Sequence, residues 1–144
     1  MKEMKDKQVL IVGMARSGVA AARMLSRLGA KLTLTDTRNS EQMASAIEQL
    51  RDIDANWQLG VEPDALIEGK DYIILSPSVY YWAPWVEKAK QNGTEVVSEL
   101  QLGAWFTQGD FVAVTGTNGK TTTTTLIGEI FKANGNRTHV LGNI

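Results

Sequence analysis

Val9-Leu10-Ile11-Val12-Gly13-Met14-Ala15-Arg16-Ser17-Gly18 joins an uninterrupted apolar run to a loop with glycine at both ends. Such a run, bounded by glycine, reads as a strand buried on both faces, as in a parallel sheet. Val19, Ala22, Leu25 and Leu28 follow at helical spacing, and Gly29 supplies the stop. Lys31 to Thr35 reads as a second strand. Asp36-Thr37-Arg38-Asn39-Ser40 is a polar turn, and Ser40 is expected to cap a helix from about Glu41 to Arg51. A stretch around Trp57 and Pro63 carries no clear period. Tyr72-Ile73-Ile74-Leu75 is a further strand, stopped by Ser76-Pro77; Pro84 opens a helix that ends at Asn92-Gly93, and Glu95-Val96-Val97 is a short strand. Strands alternating with helices predict an α/β fold, with a Rossmann-like parallel sheet over residues 1–98.

A second unit is expected over residues 99–144. Ser98 to Phe106 reads as a connecting helix, Phe111 to Thr115 as a strand, Thr121 to Lys132 as a helix, and His139-Val140-Leu141 as the opening of another strand. Its content is too small to cover both faces of a parallel sheet, so the sequence is expected to be a fragment of a longer protein.

Thr115-Gly116-Thr117-Asn118-Gly119-Lys120-Thr121-Thr122 lies between the strand and the helix of that unit. In this context a glycine loop directs backbone N–H groups at phosphate oxygens, and the helix N-terminus adds positive potential. Lys120 offers a point charge for the outer phosphates, and the Thr121 hydroxyl offers an oxygen ligand for Mg²⁺. The general phosphate-loop pattern asks for glycine where Val114 stands. The Gly13–Gly18 loop is a G-x-A-x-x-G variant of the dinucleotide fingerprint, and Asp36 ends the second strand where such domains place an acidic residue. Alone, that loop fits an NAD(P)-binding module or a plain strand–helix turn equally well.

Composition narrows the classes. Of 144 residues, 43% are hydrophobic, enough for a core; the formal net charge of -1 gives no bulk attraction to nucleic acid or membranes. The charged start and the short run Val9–Val12 suit neither a leader nor a membrane span. With no cysteine, a soluble cytoplasmic protein is expected. His139, the only histidine, is expected to be structural, and Trp57, Trp85 and Trp105 to pack in cores or between domains.

Taken together, the two loops in this order resemble the Mur ligases. There the Thr-Gly-Thr-Asn-Gly-Lys-Thr-Thr loop opens the central ATP domain, after an N-terminal domain that holds a UDP-sugar. Val9 to Gly18, Asp36-Thr37-Arg38, Ser76-Pro77, Ser98-Glu99-Leu100 and Gly142-Asn143-Ile144 are most similar to the branch that adds D-glutamate. The resemblance implies an ATP-dependent ligase of peptidoglycan precursor synthesis. It would join D-glutamate to UDP-N-acetylmuramoyl-L-alanine through an acyl phosphate, with ATP and Mg²⁺, as a monomer. It places ATP on Gly116, Thr117, Asn118, Gly119, Lys120, Thr121 and Thr122, with Lys120 catalytic and Thr121 on the metal. It places the UDP-sugar on Arg16, Ser17, Asp36, Thr37, Arg38, Ser78 and Asn143. Asp36 would accept from uracil or ribose, and Arg38 would lie against the base. Further metal ligands and most of the amino-acid site lie beyond residue 144 in the family, so residues 1–144 alone are expected to be inactive.

One segment departs from the family. After Ser76-Pro77 the family has glycine, an aliphatic residue and proline; here the run is Ser78-Val79-Tyr80-Tyr81-Trp82. Glycine lets backbone approach a nucleotide, whereas Ser78 brings a side chain. The aromatics are open to three readings: stacking on uracil, packing under the loop, or a local alteration. A non-enzymatic nucleotide-binding domain and an NAD(P) module are the competing functions. The NAD(P) module does not explain Gly119-Lys120-Thr121.

Overall fold

A computed structural model of the chain describes residues 2–142. It divides into two compact units, Met1–Thr107 and Gln108–Ile144.

In the first unit five parallel strands pair in the order β3-β2-β1-β4-β5: β1 (Gln8–Val12), β2 (Lys31–Asp36), β3 (Ala55–Leu59), β4 (Tyr72–Leu75) and β5 (Glu95–Ser98). Because side chains alternate across a strand, the apolar runs feed two cores. Val9, Ile11, Leu32, Leu34, Ile74 and Val97 pack with Ala21, Ala22 and Leu25 of α1 (Arg16–Arg27), Ala46 of α2 (Ala44–Gln49) and Leu102 of α4 (Glu99–Phe106). Leu10, Val12, Ile73, Leu75 and Val96 pack on the other face with Val86 and Ala89 of α3 (Pro84–Gln91). Burying such a leucine or isoleucine side chain contributes about 1.5–3 kcal/mol. Trp57 and Trp105 lie partly buried against the first core and Trp85 against the second.

Local structure departs from the sequence reading in three places here. The unassigned stretch around Trp57 holds β3, an edge strand whose register runs from Leu32↔Ala55 to Asp36↔Leu59. The helix expected over Glu41–Arg51 is shorter, Ala44–Gln49. Ser40 does not cap it; Asn39 and Gln42 instead exchange bonds, with Gln42 N–H donating to Asn39 Oδ1 (3.0 Å) and Asn39 N–H to Gln42 Oε1 (3.2 Å). That reciprocal pair turns the chain ahead of the helix, where a lone serine oxygen serves one donor only. At the far end, Ser98 Oγ accepts from the Gln101 N–H (3.2 Å), so α4 starts directly from β5 and packs within the first unit.

The second unit holds α5 (Lys120–Ala133) and the glycine loop before it. The strands expected at Phe111–Thr115 and His139–Leu141 do not form a ladder among the described residues, and Phe111, Val112 and Leu141 are exposed. An extended segment becomes a strand only when a neighbour takes its N–H and C=O groups. Gly128, on α5, lies against Val140: a Cβ there would stand 2.3 Å from Val140 Cγ2.

Candidate functional site

All five strands run the same way, so the loops after them gather at one end of the sheet. Chain connection reverses at β1, which feeds β2 on one side and pairs with β4 on the other. The crevice between the ends of β1 and β4 is where open α/β sheets receive ligands.

Gly13-Met14-Ala15 forms one wall. Gly13 has φ +92°, and its N–H donates to Thr35 O (2.9 Å). Ser76, just past β4, donates from Oγ to Gly13 O (2.6 Å), and its own N–H donates to Val12 O (3.0 Å). Gly18 lies under the loop, where a Cβ would come within 2.0 Å of Gly13 O. Only glycine allows this approach of helix to loop. The result turns the N-terminus of α1, with Arg16 exposed and Ser17 half-buried, toward the loop end of the sheet. Ser17 Oγ is 3.5 Å from Ser76 Oγ.

The Asp36-Thr37-Arg38 turn adjoins this loop. Asp36 is buried at 7% exposure and its carboxylate is fully engaged. Oδ2 accepts from the Met14 N–H (2.8 Å) and from Arg38 Nη2 (2.8 Å); Oδ1 accepts from the Arg38 N–H (3.0 Å) and Arg38 Nε (2.9 Å). The Arg38 side-chain bonds hold the carboxyl pKa down to about 2; burial opposes them and the two backbone donors assist. The same bonds raise the Arg38 guanidinium. The oxygens that the sequence reading offered to uracil or ribose are thus already bonded. Thr37 is exposed, and the Arg38 side chain is half-exposed.

Ser78 is exposed, on the loop after β4. Val79 N–H donates to Ser76 O (2.9 Å) and Ala83 N–H to Tyr80 O (3.2 Å), so the run consists of two successive turns. Tyr80 and Trp82 are 78% and 83% exposed, which removes packing under the loop as their explanation. Tyr81 meets Lys90, whose Nζ is 4.1 Å from the ring centroid. Asn143 lies outside the described residues.

In the second unit Gly116 (φ +143°) and Gly119 (φ +73°) have backbone conformations open to glycine. Thr117, Asn118, Thr121 and Thr122 are exposed. Lys120 Nζ donates to Gly116 O (2.5 Å), folding the cation across its own loop. The donor set, loop N–H groups without an acceptor among the described residues, an exposed ammonium and a threonine hydroxyl at a helix start, fits a nucleotide phosphate with its metal. Sequence reasoning had no signal for the Ser76 hydroxyl as the link between the loops after β1 and β4; its pairing with Gly13 O depends on strand order.

The family model described as "Mur ligase MurD-like, N-terminal domain" matches residues 7–98. This chain belongs to that family. It is 46% identical over 142 residues to the UDP-N-acetylmuramoylalanine--D-glutamate ligase of Geobacter sp. (strain M21), covering 99% of this chain and 31% of that protein. It is 47% identical over 142 residues to the ligase of the same name from Geotalea daltonii, with the same coverage. Among solved structures, a pseudomurein peptide ligase type C from Methanothermus fervidus superposes with a TM-score of 0.55 and 25% identity, over 90% of this chain and 27% of that one. The chain therefore spans about a third of the length of the curated Mur ligases it matches.

Proposed function

We propose that these residues are the nucleotide-sugar end and the ATP loop of a Mur ligase that joins D-glutamate to UDP-N-acetylmuramoyl-L-alanine in the cytoplasm. The observation that carries the reading is the pairing, in one chain of this family, of a β1–β4 crevice walled by Gly13–Gly18 and Asp36–Arg38 with a Gly116–Thr122 phosphate loop.

In this reading the precursor's diphosphate meets the N-terminus of α1 at Arg16 and Ser17, where backbone donors and helix dipole favour anions. The uridine end lies at Thr37 and Arg38, beside Asp36 and Ser78. Asn143 would meet the muramoyl part. Gly116, Thr117, Asn118, Gly119, Lys120, Thr121 and Thr122 hold the ATP phosphates. Lys120 leaves Gly116 O to neutralise the outer phosphate. Thr121 Oγ1 would hold Mg²⁺, which would supply further charge neutralisation. The γ-phosphoryl group passes from ATP to the precursor's carboxylate with release of ADP, and the D-glutamate amine then attacks the acyl phosphate, forming the amide and releasing inorganic phosphate and a proton. Positioning and charge account for most catalysis of this type.

Calorimetric titration of residues 1–144 with UDP-N-acetylmuramoyl-L-alanine, with NAD⁺ in parallel, tests the first half. Saturable binding of the UDP-sugar and none of NAD⁺ is expected. Tight NAD⁺ binding without a UDP-sugar response would sink the reading. Ligase activity belongs to the full-length protein, and none is expected from residues 1–144.

A further inference from the structure

We infer that Asp36 is a positioning residue, which pins the glycine loop after β1 and the guanidinium of Arg38 at once and leaves the nucleotide contacts to Thr37 and Arg38. The inference rests on the proposed binding of a UDP-sugar in the β1–β4 crevice.

The argument is one of capacity. An ionised carboxylate has about four lone-pair sites. Those of Asp36 are met by four N–H donors: Met14 N, Arg38 N, Arg38 Nε and Arg38 Nη2. For a ligand N–H or O–H to enter, one of these four bonds would have to leave. All four already have an ionised acceptor, so the exchange gains no bond strength, and losing Nε or Nη2 would also break a two-point ion pair. Burial leaves the ligand little access to this carboxylate. Arg38, in contrast, spends two of its five side-chain N–H groups on Asp36 through Nε and Nη2. It stays half-exposed, its plane fixed by the two-point bond.

The bond to Met14 extends the role to the other wall. Consecutive N–H groups of the glycine loop reach the end of β2, Gly13 to Thr35 O and Met14 to Asp36 Oδ2. The Met14 side chain is buried at 1% exposure, so this segment has little freedom to shift. One carboxylate therefore sets the distance between the loop proposed for the diphosphate and the guanidinium proposed for the base.

The test is a double-mutant cycle in the full-length protein with Asp36→Asn, Arg38→Ala and the pair. Steady-state rates are measured against UDP-N-acetylmuramoyl-L-alanine. Asp36→Asn is expected to raise KM about tenfold and change kcat less than about twofold, and adding Arg38→Ala to it to cost little more. Exchange of the Met14 amide with solvent should quicken in Asp36→Asn and hold steady in Arg38→Ala. Fully additive losses, or an unchanged Met14 amide, would overturn the inference. A second measurement uses the unaltered protein: the Asp36 carboxyl, followed by NMR, should keep its low titration point when the UDP-sugar is bound. A marked rise on binding would mean that the ligand displaces Arg38, and the inference would fall. Absence of UDP-sugar binding by the unaltered protein would instead count against the proposed function.

Discussion

The chain contains two glycine loops of the same type, each leading into a helix, and the structure treats them differently. The loop at Gly13–Gly18 sits between paired strands. Its groups bond to Thr35 O, Asp36 and Ser76, and its closing glycine packs on its opening one. The loop at Gly116–Lys120 follows a segment that pairs with no strand among the described residues and is exposed; its side-chain bonds, Lys120 Nζ to Gly116 O and Thr124 Oγ1 to Lys120 O, stay within the loop and its own helix. Motif residues dictate the local turn in both cases. Fixing such a turn to its surroundings takes neighbouring strands, and the first unit supplies them.

Four changes test this contrast. The largest effect is expected from Lys120→Ala, which should reduce ligase turnover of the full-length protein on the order of a thousandfold. UDP-sugar affinity, measured calorimetrically, should not change, since that site belongs to the other loop. Gly18→Ala should destabilise the first unit by on the order of 3 kcal/mol, read from denaturant unfolding, because its Cβ would collide with backbone at Gly13 O. A third test uses acid. The Asp36 carboxyl has its folded pKa lowered from 3.8 to about 2, so its ionised form stabilises the fold. That contribution, on the order of 2 kcal/mol, is present in full above about pH 4 and lost as pH falls toward 2. Unfolding of the Asp36→Asn variant should lack this acid-dependent step. Gly119→Ala gives the smallest effect, about 1 kcal/mol. Nothing closer than Thr123 Oγ1 at 4.0 Å meets the added Cβ, so only the left-handed backbone (φ +73°) resists it. Faster exchange of the Thr123 amide, which donates to Gly119 O, would report it. Equal losses at Gly18 and Gly119 would break the comparison.

Most of the first unit was legible because its central strands are uninterrupted apolar runs. Val9–Val12 and Tyr72–Leu75 have no alternative way to bury both faces. The edge strand Ala55–Leu59 was not legible, since an edge is half-exposed and admits Asn56 and Gln58. The strands expected at Phe111 and His139 failed for the opposite reason. Their residues suit a strand, but no described neighbour receives their bonds. At the site, Gly13, Gly18 and Asp36 stand out by spacing alone. What spacing does not reveal is the destination of each bond: Asp36 turns inward to Met14 and Arg38, and Ser76, singled out only as part of the Ser76-Pro77 turn, joins two loops.

The turn after β4 has a consequence for how such a protein changes over generations. Ser76, Val79 and Ala83 do its anchoring, through Gly13, a turn bond and the second core, while Ser78, Tyr80 and Trp82 face solvent between them. Inheritance can rewrite those three positions without disturbing Ile73 or Leu75 beneath. The run Ser78-Val79-Tyr80-Tyr81-Trp82 is of this kind: its outward side chains stand on a hinge of three anchored residues and can be exchanged at almost no cost in folding.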